Sequence, residues 1–179
     1  VASYQLHSTL DFSSVLEIAR DIVINMLGAE VFGIYLVDER LDQLVLVVNE
    51  GYPEDQCGNL PMDEATKAAL TGSVQTDTAA KGSEAPGTGN PLLVLPLQLE
   101  DRPIGIVYVY KLLLQKQGFQ AVDFELIELL GKHAATAIYS AQLHARSERK
   151  RTTLEGVMEL IRSSGFAPPP DTSGSWHSK

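Results

Sequence analysis

The groups in this 179-residue chain with the most distinctive chemistry are four histidines and a single cysteine. His7, His133, His144 and His177 are scattered, with no His-x-x-His or His-Glu-x-x-His spacing to turn two rings toward one metal. Cys57 stands alone, which excludes an internal disulfide and a cysteine-based zinc site and reads as a surface-loop thiol. No Gly-x-Ser-x-Gly elbow is present to expose a nucleophilic serine. Gly87-Thr88-Gly89 lacks the Lys-Ser/Thr step that completes a phosphate-cradling loop, and reads as a flexible loop. No nucleophile–base pair or metal-ligand set is legible, so the chain is expected not to be an enzyme. The remaining chemistry is that of recognition: strand alternation puts Tyr108 and Tyr110 on one face, with Ile104 and Ile106.

Composition narrows the partners. A formal charge of −9 disfavours the counterion-driven attraction of nucleic-acid binders. The basic run from His144 to Arg151 reads as a solvated helix face. Hydrophobic residues make up 44% and charged residues 21%, the balance of a globular protein. No apolar run approaches the roughly 20 residues of a membrane-spanning helix, and no signal-peptide opening is present. The start at Val1-Ala2-Ser3-Tyr4, without an initiator Met, predicts a fragment of a longer protein or a processed terminus. A reducing, cytoplasmic setting is expected.

The elements that would position these residues follow from periodicity. Val15, Leu16, Ile18, Ala19, Ile22, Val23, Met26 and Leu27 recur at helical spacing, with Ser13 and Ser14 as caps, Glu17 at capping-box spacing and Gly28 as terminator. Residues 4–10 predict an earlier helical turn. Val31–Val37 and Leu44–Val48 predict a hairpin across a polar turn at 38–43, and Met62–Leu70 a short helix. Residues 73–91 are rich in Gly, Ser, Thr, Ala and Pro and read as a long loop holding a short strand at Val74–Asp77. Leu92–Leu99 and Ile104–Lys111 predict a second hairpin across Glu100-Asp101-Arg102-Pro103, apolar enough for both sheet faces to be covered. A last helix from near Ala121 to about Ser163 would be roughly 60 Å long at 1.5 Å per residue, so part of it should project. The expected fold class is α+β. An antiparallel central sheet carries the N- and C-terminal helices on one face, and a short helix plus a long loop on the other.

This order resembles the GAF family of small-molecule-binding domains over about residues 8–145. The resemblance rests on Met26-Leu27-Gly28-Ala29-Glu30, then Phe32-Gly33-Ile34-Tyr35-Leu36-Val37-Asp38, Leu46-Val47-Val48-Asn49-Glu50-Gly51 and Leu70-Thr71-Gly72. It continues through Leu95-Pro96-Leu97, Ile104-Gly105-Ile106-Val107 and Phe119-x-x-x-Asp123. Cyclic-nucleotide-binding members carry Asn-Lys…Phe-x-x-x-Asp-Glu. Here Lys111, Phe119 and Asp123 match, while Tyr110 replaces the Asn and Phe124 the Glu, which argues against that ligand and leaves Lys111 with Asp123 as a structural pair.

The resemblance implies a ligand pocket on the sheet face away from the helix pair, roofed by residues 62–72 and 73–91. Tyr35, Asn49, Tyr52, Asp77, Tyr108 and Tyr110 are its candidate lining. The same face could equally be filled by side chains. Bilin attachment would need a particular cysteine pocket with nearby His and Asp-x-Pro elements, and methionine-sulfoxide reduction several cysteines; the sequence supports neither of these, nor haem or a metal. Small residues Ala134, Ala135, Ala137, Ser140 and Ala141, with Ile138, predict close approach of the last helix to a second copy and a homodimer. The expected organisation is a sensory domain over 1–145, a signalling helix over 146–163 and a Pro/Ser/Gly-rich linker over 164–179. The implied function is a regulatory sensor of a small molecule or partner, relaying to an effector outside this chain. The alternative is a ligand-free dimerisation module.

Overall fold

The computed structural model describes residues 11–52, 57–76, 91–114, 119 and 121–163. The turn expected at 4–10, the tail from 164 onward, Asp77 and most of the 73–91 loop lie outside the described residues. Two compact units divide after His144.

Helix α1 (Phe12–Leu27) forms because Val15, Ala19, Ile22, Val23 and Leu27 share one face, and all five are buried. Its N-cap is Asp11 rather than Ser13 or Ser14. The Asp11 carboxylate accepts from the Ser14 backbone N–H at 2.8 Å and from its hydroxyl at 2.7 Å. Both serines already lie inside the helix, where they have no free N-terminal geometry to offer. Gly28 ends α1 at φ 67, the left-handed conformation that glycine adopts without a Cβ clash.

Among the described residues six strands follow, β1 (Ala29–Asp38), β2 (Gln43–Glu50), β3 (Leu60–Pro61), β4 (Gln75–Thr76), β5 (Leu93–Leu99) and β6 (Arg102–Leu112). They make one antiparallel sheet in the order β3-β2-β1-β6-β5-β4. The short strand β3 carries no periodicity from which to predict it. Helix α2 (Glu64–Thr71) lies between β3 and β4 and is capped by Asp63, whose carboxylate accepts from Thr66 N at 2.8 Å.

The second hairpin is tighter than the sequence predicts. Leu99 pairs with Arg102 and Gln98 with Pro103, so only Glu100 and Asp101 make the turn. Proline is tolerated there because the register shifts between Leu97 and Gln98 and no regular ladder bond is asked of it. The same shift carries Ile104 into the core shared by the sheet and the two terminal helices, away from the face of Ile106 and Tyr108. Strict alternation had placed the three together.

Helix α3 (Ala121–Ser163) spans 43 residues. In the first unit it packs with α1 on one sheet face around Phe32, Ile34, Leu97, Ile127 and Ile138, all but sealed from solvent. The other face carries α2, with Leu70 against Tyr35, Leu44, Val94 and Ile106. This placement corrects the helix surface expected to meet a second copy. Ala137, Ile138 and Ala141 are 3%, 0% and 0% exposed within the chain's own core, and Ala134 packs partly against it. Small residues allow close approach, and here they allow α3 to approach its own sheet. In the second unit, residues 145–163, Leu154, Val157, Met158, Leu160 and Ile161 are all exposed.

Candidate functional site

Five of the six expected pocket residues converge on the α2 face of the sheet; Asp77 lies outside the described residues. The floor is a cross-strand row, with Asn49 on β2 paired to Gly33 on β1, Gly33 to Tyr108 on β6, and Tyr108 to Val94 on β5. Gly33 leaves a gap in this row. The Tyr35 ring, two residues along the same strand, fills it. Sequence reasoning missed this role, although an isolated glycine in an apolar strand signals a close approach.

The tyrosines form a connected cluster. Tyr35 and Tyr108 meet edge to face at 5.8 Å between ring centroids, and Tyr52 and Tyr110 at 5.6 Å. Tyr108 and Tyr110 link the two pairs at 6.3 Å and 46°. Tyr52 reaches the cluster from just beyond β2, where Gly51 turns the chain at φ 76. The Asn49 amide steadies that turn by donating from Nδ2 to the Tyr52 carbonyl at 3.3 Å. Two polar atoms are left over: Asn49 Oδ1 and the Tyr52 hydroxyl are buried and have no hydrogen-bond partner among the described residues. Such atoms are uncommon in folded proteins and each calls for an explanation.

Electrostatics set the cluster's character. Burial pushes the Tyr35 phenol up to about 12, with Cys57 and Tyr108 adding to the effect. Burial likewise raises Tyr52, Tyr110 and Tyr108, the last also through the Asp63 carboxylate. All four remain neutral phenols at physiological pH. Cys57 lies in a loop and is half-buried, and it adds to the effect that disfavours ionisation of Tyr35, Tyr52 and Tyr110. Among the described residues, no group of three His, Cys, Asp or Glu side chains could hold a metal ion.

Charged ties hold the frame of the site. Arg20 on α1 meets Glu50 at the end of β2 at 2.6 Å. Lys111 meets Glu30 across β6 and β1 at 2.7 Å, and Asp123 lies in the first turn of α3. Arg102 bridges three elements. It donates to Glu39 at 2.9 Å and to the Tyr139 hydroxyl of α3 at 3.0 Å, with its guanidinium 5.2 Å from the Tyr139 ring centroid. Two cavities lie elsewhere. One, of about 20 Å³, lies between α1, α3 and the sheet and has a wholly apolar lining. The other is a surface groove of about 390 Å³ beside β5, lined by Gln98, Glu128 and Lys132 among others.

One antiparallel sheet, with the terminal helices on one face and a small helix over a tyrosine-rich opposite face, defines the class as a mixed α+β domain. The GAF domain family model matches residues 11–139, and the chain belongs to that family. No curated protein matches it. Among solved structures, it resembles residues 122 to 287 of a methyl-accepting chemotaxis protein at 20% identity and a TM-score of 0.59, covering 80% of this chain and 98% of that one. The GAF domain of an Acinetobacter phosphoenolpyruvate-protein phosphotransferase is 17% identical with a TM-score of 0.62, covering 79% and 90%. Free methionine-R-sulfoxide reductase from Neisseria meningitidis, in complex with its substrate, is 20% identical with a TM-score of 0.57, covering 80% and 87%. These likenesses show the fold. GAF domains are regulatory and sensory, occur in signalling proteins and are not usually catalytic. No described helix is long and apolar enough to cross a membrane.

Proposed function

We propose that this GAF domain is a cytoplasmic, non-catalytic sensor whose tyrosine-lined sheet face receives a small molecule and whose helix α3 relays the change to an effector outside this chain. The observation that carries the reading is a pair of buried polar atoms with no hydrogen-bond partner among the described residues, Asn49 Oδ1 and the hydroxyl of Tyr52, whose ring belongs to a cluster of four tyrosines. A site of this kind, mostly apolar with a few convergent polar groups, suits a small ligand. Arg102 supplies a route from sheet to helix, because it holds the β1 turn through Glu39 and α3 through Tyr139. Signalling demands that the ligand bind two helix arrangements with different affinity. Catalysis of the sulfoxide-reductase kind is not part of the proposal, since the chain has one cysteine where that chemistry uses several.

A second copy is the proposed partner of α3. In the first unit Leu126, Leu129 and Leu143 are exposed, and in the second Leu154, Val157 and Ile161. Their spacing of three, four or a multiple of seven residues is that of a helix seam seeking another helix. Native mass spectrometry of the purified chain, followed by denaturation, tests both parts. A dimer releasing a small mass supports the sensor. A dimer without an adduct, whose melting temperature ignores metabolites, favours the alternative of a ligand-free dimerisation module, for which the mutual packing of the tyrosine rings speaks.

A further inference from the structure

Of the two unsatisfied atoms, the Tyr52 hydroxyl can donate or accept, whereas Asn49 Oδ1 sets a fixed demand for a donor. A side-chain amide oxygen can only accept a hydrogen bond. Asn49 uses its Nδ2 on the Tyr52 carbonyl and leaves Oδ1 dry. A carboxylate or phosphate brings further acceptors and would leave that oxygen as it is. A group with an N–H satisfies it, and the Tyr52 hydroxyl can accept a second N–H or turn to suit.

The aromatic geometry selects the charge of that group. The rings are not stacked: Tyr35 lies at 71° to Tyr108 and Tyr52 at 77° to Tyr110, so edges and faces alternate around the cluster. Ring faces carry the negative end of the aromatic quadrupole and attract a cation within about 6 Å. The surroundings resist negative charge, as the raised phenols report. Burial alone would resist either sign, but acceptor oxygens and ring faces offset only the positive one. Asp63, exposed and held below the usual carboxylate range by the Thr66 N–H, adds a negative charge that reaches Tyr108.

We infer that the sensor face is a receptor for a small organic ammonium compound, with an N–H donated to Asn49 Oδ1, a second contact at the Tyr52 hydroxyl, and the charge held against the tyrosine faces. This rests on the sensor reading and names its ligand class.

The test uses four matched probes on the full chain: n-butylammonium, 1-butanol, butyrate and tetramethylammonium. Calorimetry and thermal melting give affinity and stabilisation. The expected result is at least a tenfold preference for butylammonium over butanol and butyrate, with tetramethylammonium weaker because it has no N–H. Asn49→Leu should erase the preference; because it also removes the Nδ2 bond to the Tyr52 carbonyl, its unliganded melting temperature should fall modestly while the domain stays folded. If that variant fails to fold, Tyr52→Phe serves as the second and should weaken butylammonium binding several-fold. Butanol or butyrate matching butylammonium overturns the inference, as does a preference that survives in the variants. A neutral or acidic adduct released from the purified chain overturns the ammonium assignment and leaves the sensor standing. No adduct, together with no response to any probe, overturns both.

Discussion

The ring of Tyr35 lies over Gly33: a Cβ on Gly33 would stand 2.8 Å from Tyr35 Cε2 and 3.3 Å from Leu46 Cδ1. Both residues sit on β1 and point to the same face, so the glycine makes room for the ring that closes the floor of the tyrosine cluster. On the other side of Tyr35, Gly105 of β6 leaves space for its backbone carbonyl, which a Cβ there would strike.

Gly33→Ala should therefore displace Tyr35 rather than be absorbed. Tyr35 is 2% exposed, and the cost of overpacking such a ring is about 1–3 kcal/mol. Urea denaturation should show a lower midpoint at unchanged slope, with an altered near-ultraviolet tyrosine signal. An unchanged midpoint would mean that the ring has another place to go.

The tyrosine cluster predicts a pH dependence at the alkaline end. Its folded phenols titrate above their ordinary value of 10.0, with Tyr35 at about 12. The folded state thus keeps protons that the unfolded chain has lost. The stabilisation is fully present below pH 10 and declines as pH rises through about 12. Tyrosinate absorbance should lag in native protein relative to protein in denaturant, and Tyr35→Phe should reduce the lag.

Two substitutions on α3 separate folding from assembly. Ala137 is 3% exposed under the sheet, so Ala137→Glu should unfold the domain, at a cost on the order of 3–5 kcal/mol for an unpaired buried charge. Leu129 is 54% exposed, and Leu129→Glu should change stability by no more than about 0.5 kcal/mol. Sedimentation should nevertheless find Leu129→Glu shifted to monomer. A dimer undisturbed by it would remove this seam from the proposal.

Gly131 offers the opposite sign. It sits inside α3, where glycine costs about 0.5–1 kcal/mol relative to alanine. A Cβ there would lie 3.0 Å from Leu95 Cδ1, the flexible end of a side chain that borders the small apolar cavity. Gly131→Ala should stabilise by about 0.5–1 kcal/mol, as Leu95 turns into that space. A lower melting temperature would show that Leu95 cannot move.

Periodicity alone carried the helices and the four long strands. The apolar spacing of Val15 to Leu27 and the near-continuous runs around Val107 each admit one way of burying their surface. The candidate tyrosines were legible in part for the same reason, since alternation along β6 puts Tyr108 and Tyr110 on one face whatever the rest of the chain does. The placement of Ile104, the true cap at Asp11 and the owner of the Ala137–Ala141 surface were not. A register shift of one residue moves a side chain to the other face, and nothing local in the Leu97–Ile106 hairpin announces it. A stripe of alanines shows that something packs closely, yet only the fold says that its partner is the chain's own sheet. The approach of Cys57 to three tyrosines and the isolation of Asn49 Oδ1 likewise arise from residues distant in sequence. Local pattern determined which elements exist and which faces are apolar. Tertiary contact decided what each face meets, because burial and hydrogen-bond satisfaction are properties of the whole assembled core.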